Sequence, residues 1–168
     1  MLLAVQGALT GVGAMHDVGY LHRDVSAGNI LLVERGYERI GVIIDLECAI
    51  IISEHHTQHD SKTGTPAFLP VEVASQDYTD MDFALSLSLY KKGIKPQFHQ
   101  NGFHDLESIW WICVWFLCHN LPSPADQCSD ASFMESYDAL FLSGATSKRA
   151  DACTALGDGL FDFVTEFL

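Results

Sequence analysis

Basic residues are scarce in this chain of 168 amino acids. Nine Lys and Arg residues stand against 22 Asp and Glu residues, which gives a formal net charge of -13 at pH 7. An excess of negative charge repels phosphate backbones and anionic lipid headgroups, so it argues against nucleic acid and membrane surfaces as partners. A basic protein substrate or partner fits this charge, although acidity that merely aids solubility explains it equally well.

Paired cysteines are also missing. The five cysteines, at positions 48, 113, 118, 128 and 153, form no Cys-x-x-Cys pair. An odd number of thiols is typical of reduced cysteines, so we expect an intracellular protein, cytoplasmic or nuclear.

No apolar run is long enough to cross a bilayer. The most apolar stretch, Ile109 to Cys118, has ten residues, whereas a membrane helix needs about 20. Because it is apolar on every side, it predicts a helix buried within the fold.

One stretch concentrates polar groups between apolar segments. It runs from His22 to Ile30 and reads His-Arg-Asp-Val-Ser-Ala-Gly-Asn-Ile. Two β-branched and leucine-rich runs follow, at 30–33 and 39–44, and a polar turn separates them, so they predict a β-hairpin. Asn29 enters the first strand and Asp45 leaves the second, which predicts that both project from one end of the hairpin.

Oxygen ligands at one end of a hairpin suit a hard divalent cation. Mg²⁺ accepts one or two protein oxygens and keeps phosphate oxygens as further ligands, so Asn29 and Asp45 are predicted metal ligands. Asp24, five residues before Asn29, is predicted to orient the attacking hydroxyl or accept its proton. A single Asp before a turn is usually a cap, but this combination indicates phosphoryl transfer.

These residues resemble the protein kinase superfamily, and specifically the fungal-type protein kinase family, whose catalytic loop typically reads His-Arg-Asp-Ile-Ser-x-Gly-Asn-Ile. Residues 63–72 are similar to the end of a kinase activation segment, and residues 104–108, His-Asp-Leu-Glu-Ser, open the apolar helix. The three matches keep their order and approximate spacing from about Leu9 to Cys118, which single motif matches rarely do.

The resemblance implies a role for each matched residue. Thr65 is similar to the threonine that contacts the catalytic Asp, Glu72 to the glutamate that fixes the end of the segment, and Asp105 to a helix-start carboxylate that receives backbone N–H groups from the catalytic loop. The residues implied in catalysis are Asp24, Asn29, Asp45 and Thr65. Those implied in binding the cofactors ATP and Mg²⁺ are Ser26, Asn29 and Asp45, and those implied as structural are His22, Arg23, Glu72 and Asp105.

Two positions depart from the general kinase pattern. Ser26 stands where serine/threonine kinases carry a Lys that neutralises the transferring phosphoryl group, so we expect weaker catalysis. The metal motif reads Asp45-Leu46-Glu47 rather than Asp-Phe-Gly, which adds a charge and removes a flexible glycine.

The resemblance implies an α+β fold, mainly α, that corresponds to the large lobe of a protein kinase with a small β-hairpin at the catalytic loop. Only 21 residues precede His22, and they read as one helix without a Gly-rich phosphate loop or a strand Lys. We therefore expect the small lobe to be absent and ATP binding by this chain alone to be weak. The predicted organisation is one partial domain over 1–168, with the motifs in about 1–120 and a helical remainder in 121–168.

Three functions remain open. The first is a protein kinase that phosphorylates Ser or Thr hydroxyls, and the second is a pseudokinase-like module that binds a partner without catalysis. A small-molecule kinase of the aminoglycoside type is the third, but such enzymes lack the peptide-positioning segment that Gly64 to Glu72 resembles. Within the kinase interpretation, Arg23 is predicted to pair with Glu47, Glu54 or Asp60 of an unphosphorylated segment, or to remain solvated.

Overall fold

The computed structural model describes residues 1–54, 63–78 and 98–120, together with positions 89, 91–93, 137, 138, 140, 141 and 149. The chain divides into two compact units, Met1–Asn120 and Leu121–Leu168. In the second unit, the Tyr137 and Phe141 rings lie 5.2 Å apart, and the Arg149 guanidinium lies 5.5 Å from the Phe141 ring. Most of the predicted helical remainder lies outside the described residues.

The first unit begins with helix α1, Leu2–Asp17. The N–H groups of Val18 and Gly19 close its last turn by donating to the carbonyls of Met15 and His16. Gly19 has a φ of +83°, which glycine adopts without steric cost, and it turns the chain into strand β1, Tyr20–Leu21.

The predicted hairpin forms directly after the catalytic-loop sequence. Strand β2, Ile30–Arg35, pairs antiparallel with strand β3, Glu38–Ile43, in a register that places Ile30 opposite Ile43. Gly36, with a φ of +66°, supplies the left-handed backbone that a tight turn requires. A second small sheet joins β1 to strand β4, Ile50–Ile51, also antiparallel.

Helix α1 packs on strand β3 through glycines. A Cβ atom placed on Gly7 would overlap the Gly41 backbone, and one placed on Gly11 would lie 2.8 Å from Cγ2 of Ile43. The sequence predicts that glycines weaken α1, but two of them allow the close approach of helix and strand. Apolar residues at Leu2, Val5, Leu9, Val12 and Met15 predict an apolar stripe on α1. Only part of this stripe is buried: Leu2 and Leu9 are 79% and 45% exposed, whereas Val12 is fully buried, as is Ala8.

The remaining described elements are short turns around one long helix. Three-residue 3₁₀ helices span Ile52–Glu54 and Pro66–Phe68, and helix α2 spans Val71–Ser75. Helix α3 spans Gly102–Asn120. The described part of the chain is therefore a mixture of helices and small antiparallel sheets, which is an α+β fold.

Helix α3 is buried along one face. Trp111 is 1% exposed and Ile109 3%, whereas Phe103 and Leu117 are 79% and 40% exposed. The prediction that the stretch from Ile109 to Cys118 is buried on every side is therefore wrong in part, because Leu117 is exposed and residues 113–116 are only half-buried. Among the described residues, no helix is both long and apolar enough to span a membrane.

Candidate active site

Asp105 fixes the backbone of the loop that carries the candidate catalytic residues. It lies in the first turn of α3 with 4% of its surface exposed. Its carboxylate accepts the N–H of His22 and the N–H of Arg23, each at 2.9 Å. Arg23 has a φ of +70°, a conformation that costs free energy outside glycine. These two hydrogen bonds hold the loop in that conformation.

His16 adds a third bond to the same carboxylate. Its Nε2 lies 2.9 Å from Oδ2 of Asp105, and its ring covers Gly102, where a Cβ would come 2.9 Å from the ring carbon Cε1. The end of α1, the catalytic loop and the start of α3 therefore meet at Asp105.

His22 lies at the inner side of the loop and is fully buried. Its Nε2 donates to the carbonyl of Ile44 at 3.1 Å, and its Nδ1 faces the N–H of Asp24 at 3.4 Å. The ring thus joins the loop to the chain that leaves strand β3.

Asp24 lies where the loop and the residues after Thr63 meet. Its Oδ1 accepts both the N–H and the hydroxyl of Thr65 at 2.9 Å, although 41 residues separate the two. Asn29 donates its amide N–H to the Asp24 carbonyl at 2.9 Å and lies 3.3 Å from Oδ2 of Asp24. Because the Asn29 amide nitrogen is used in this way, its Oδ1 is left to act as a metal ligand.

Asp45 lies at the same end of the hairpin as Asn29. The N–H of Ile44, its neighbour, donates to the Asn29 carbonyl at 2.9 Å. Asp45 has a φ of +66° and an exposed side chain, and its Oδ1 lies 3.4 Å from the N–H of Glu47. The second candidate metal ligand is therefore open to solvent.

The pKa of the Cys48 thiol is shifted by the charged residues near this site. Burial raises the pKa of the Cys48 thiol, and the Asp24 carboxylate raises it further. Asp45 and Glu47 act in the same direction, whereas the Arg23 guanidinium opposes them. Asp24 and Asp45 thus both act on the charge state of this thiol.

Ser26 is buried in the loop, and Arg23 is half-buried. Ser26 is 5% exposed, and its carbonyl accepts the Asn29 N–H at 3.0 Å, so its contact with a nucleotide stays a prediction. Arg23 donates from Nε to Oε1 of Gln100 at 2.5 Å. Of its three expected acidic partners, Asp60 and the Glu54 side chain lie outside the described part of the chain.

Two further side chains of α3 hold the segment that follows Thr65. His104 contacts Oε2 of Glu72 through Nε2 at 3.0 Å. Glu107 accepts the N–H of Val71 at 2.9 Å and the indole N–H of Trp111 at 3.0 Å. The start of α3 therefore fixes both chain segments that meet at Asp24 and Thr65.

The sequence does not predict the structural roles of His16, Gln100, His104 and Glu107. Their partners lie 89, 77, 32 and 36 residues away, so no local periodicity reveals them. The sequence feature that could have indicated the α3 residues is the run His-Asp-Leu-Glu at 104–107, where three polar side chains precede the apolar stretch of the helix.

The oxygen donors at the hairpin end fit Mg²⁺ bound to a nucleotide. A carboxamide and a carboxylate are the ligands that such an ion takes from a protein, because phosphate oxygens and water complete its shell. Among the described residues, no group of three or more His, Cys, Asp or Glu side chains is placed to hold a metal ion.

Comparison with known proteins shows similarity to serine/threonine-protein kinases. The chain is 32% identical over 112 residues to "Serine/threonine-protein kinase 1" of Arabidopsis thaliana, an alignment that covers 64% of this chain and 13% of the relative. It is 40% identical over 67 residues to "Serine/threonine-protein kinase TAO2" of Xenopus laevis, covering 40% of this chain and 6% of the relative. It is 34% identical over 67 residues to "Interferon-induced, double-stranded RNA-activated protein kinase" of Rattus norvegicus, covering 40% of this chain and 12% of the relative.

The chain thus spans at most 13% of the length of these three relatives. The family model described as fungal protein kinase matches residues 1–117, which is more than half of the chain and includes the catalytic loop, Thr65, Glu72 and Asp105. The chain belongs to the fungal protein kinase family.

Proposed function

We propose that the site transfers the γ-phosphoryl group of ATP to the hydroxyl of a Ser or Thr residue in a protein substrate. The observation that carries this proposal is the carboxylate of Asp24, which binds Thr65 through Oδ1 and lies beside Asn29 through Oδ2. This arrangement puts a proton acceptor between a metal-ligand side chain and a segment able to position a peptide.

Each residue then has a distinct task. Asp24 would orient the substrate hydroxyl and accept its proton, and Asn29 and Asp45 would hold the nucleotide-bound Mg²⁺. Thr65 keeps Asp24 in position. Bound Mg²⁺ would neutralise charge on the phosphate oxygens. Because Ser26 supplies no cation, we expect slow transfer unless another positive group, from the substrate or elsewhere, is present.

A basic substrate suits the electrostatics of the site. Asp45 and Glu47 are exposed at the end of the hairpin, and the whole chain carries a net charge of -13. Lys and Arg residues that flank the target hydroxyl would lower this local repulsion and raise the association rate.

A non-catalytic binding module is the second candidate. It is favoured by an open cavity of about 570 Å³ between α1 and β3, lined by Leu3, Thr10 and Ile40 among others. Apolar side chains near the hairpin are also exposed, with Leu32 at 47% and Leu46 at 55%. Phosphoryl transfer to a peptide separates the two candidates, and it requires that the site first bind a divalent cation and a nucleotide.

The first experiment tests metal binding at the site, with Mn²⁺ as a paramagnetic substitute for Mg²⁺. NMR spectra of the full chain are recorded with Mn²⁺ and ADP, and the kinase proposal predicts selective broadening of Asn29 and Asp45. The Asp45→Asn variant should lose this broadening. The matched control is Glu34→Gln, because Glu34 is an exposed acid on the same hairpin that pairs with Arg39; it should behave as the wild type.

A transfer assay tests the chemistry itself. Wild-type chain, Asp24→Asn and Asp17→Asn are incubated with ATP, Mg²⁺ and Ser or Thr peptides of basic or acidic flanks. We expect phosphate on the basic peptide, a loss of about 10²-fold or more in Asp24→Asn, and no change in Asp17→Asn. Broadening at Asn29 and Asp45 without transfer to any peptide would favour the binding module, as a nucleotide-binding pseudokinase.

A further inference from the structure

Helix α3 begins with a capping box in which His104 takes the third position. Asn101 is the cap, since its Oδ1 accepts the N–H of Phe103 at 2.9 Å. In return, Nδ1 of His104 accepts the N–H of Asn101 at 2.9 Å. Glu or Gln usually occupies this position of a capping box, so the histidine satisfies the cap and leaves its other ring nitrogen for a second task.

These contacts fix the protonation of the ring. A backbone N–H can only donate, so Nδ1 of His104 carries no proton. Its Nε2 therefore carries the ring proton and donates to Oε2 of Glu72 at 3.0 Å. The residue is 5% exposed, and its ring packs at 5.5 Å from the ring of Phe98, a buried core residue.

The Glu72 contact lies at the end of the segment that carries Thr65. Thr65 begins the 3₁₀ helix Pro66–Phe68, and Glu72 lies in the first turn of α2 a few residues later. Next to His104 on α3, Asp105 holds the backbone of His22 and Arg23. The first turn of α3 thus fixes two chain segments, the catalytic loop and the segment from Thr65 to Glu72. These segments meet at the hydrogen bonds between Asp24 and Thr65.

We propose that His104 is a positioning residue that sets the place of Thr65 relative to Asp24 by holding Glu72. This inference rests on the proposed phosphoryl transfer, because Thr65 and Asp24 are the substrate-facing pair of that reaction. Because His104 is 5% exposed and both of its ring nitrogens bind groups of the protein, it acts through Glu72.

Two substitutions separate the cap from the Glu72 contact. In His104→Asn the amide oxygen replaces Nδ1 as the acceptor of the cap, but the side chain is too short to reach Glu72. In His104→Gln the amide nitrogen replaces Nε2 as donor to Glu72, and Gln is an ordinary third residue of a capping box. The first variant therefore removes the proposed function of His104, and the second restores it.

The test is amide hydrogen exchange of the full chain, followed by NMR at Thr65, His22 and Arg23. In His104→Asn we expect the Thr65 amide to exchange about tenfold faster while His22 and Arg23 keep their protection. His104→Gln should restore protection at Thr65. Wild-type protection of Thr65 in His104→Asn would overturn the proposal, and so would equal loss at all three amides, which indicates general destabilisation.

If His104→Asn fails to fold, the same exchange measurement is made on Glu72→Ala, which removes the contact with His104 and leaves the capping box intact. Wild-type protection of Thr65, or equal loss of protection at Thr65, His22 and Arg23, would again overturn the proposal. Exchange rates do not depend on phosphoryl transfer. A negative result here therefore leaves the proposed activity standing, and an inactive protein leaves the role of His104 standing.

Discussion

Asp105 accepts three hydrogen bonds while only 5% of its side chain is exposed. In Asp105→Asn, the amide that replaces one oxygen would face N–H donors, and leaving those donors buried without an acceptor costs about 1–3 kcal/mol. We expect a lower midpoint of thermal unfolding and faster exchange of the His22 and Arg23 amides. Asp17→Asn, on the exposed end of α1, should leave both unchanged, and an unaltered midpoint in Asp105→Asn would contradict the structural assignment.

Cys48 offers a chemical readout of the charge near Asp24. Because its pKa is raised, the thiol is mostly protonated at neutral pH, and alkylation should become faster as the pH rises towards that pKa. Asp45→Asn removes one carboxylate that raises the pKa, so the thiolate fraction at a given pH increases. Alkylation of Cys48 should then be about twofold faster.

Peptide-resolved mass spectrometry measures this rate separately from those of the other cysteines. Asp17→Asn serves as the control, since Asp17 is not among the groups that shift this thiol. An unchanged rate in Asp45→Asn would mean that Asp45 does not act on the Cys48 thiol.

The contact between helix α1 and strand β3 depends on which glycine is changed. Gly7→Ala would force apart the helix and the Gly41 backbone, and overpacking of this kind costs about 1–3 kcal/mol. A Cβ placed on Gly13 would have no atom within 4 Å, so Gly13→Ala should stabilise α1 by about 0.4–1 kcal/mol. Urea unfolding of both variants checks the opposite signs, and equal destabilisation of the two would show that the close approach at Gly7 is not the cause.

The elements differ in how far the sequence predicts them. The hairpin is predictable because its signals are local: two β-branched runs and a polar turn containing Gly36. The placement of Asn29 and Asp45 at one end follows from the same pattern. The role of Gly7 is not predictable in this way, because its partner Gly41 belongs to another element and glycine in a helix otherwise signals only weakness.

The candidate site shows the same division. Asp24, Asn29 and Asp105 are found through a family motif, whereas the bond between His104 and Glu72 depends on how α3 packs on a distant segment. Histidine has no pattern of its own that distinguishes a cap, a ligand and an ion-pair partner. Its function becomes visible only when both ring nitrogens have named partners.

The charge of the whole molecule predicts a response to salt. A net charge of -13 repels itself in the compact state, and this repulsion is screened as ionic strength rises. The urea midpoint should therefore increase from low to moderate sodium chloride. Repeating the titration with potassium chloride separates screening from ion-specific binding, and a midpoint that falls with both salts would show that attractive ion pairs dominate.

The bonds that assemble the site join residues far apart in the chain, with separations of 41 for Thr65 to Asp24 and 82 for Asp105 to Arg23. During synthesis the ribosome releases the catalytic loop long before α3, so a nascent chain that ends before Gly102 lacks the carboxylate that fixes the loop. We expect such stalled chains to be cut readily by protease near Arg23 and longer ones to resist. The backbone of the catalytic loop therefore cannot be fixed until synthesis has reached Asp105, 82 residues after Arg23, and the start of α3 marks the length at which we expect the nascent loop to become resistant to cleavage.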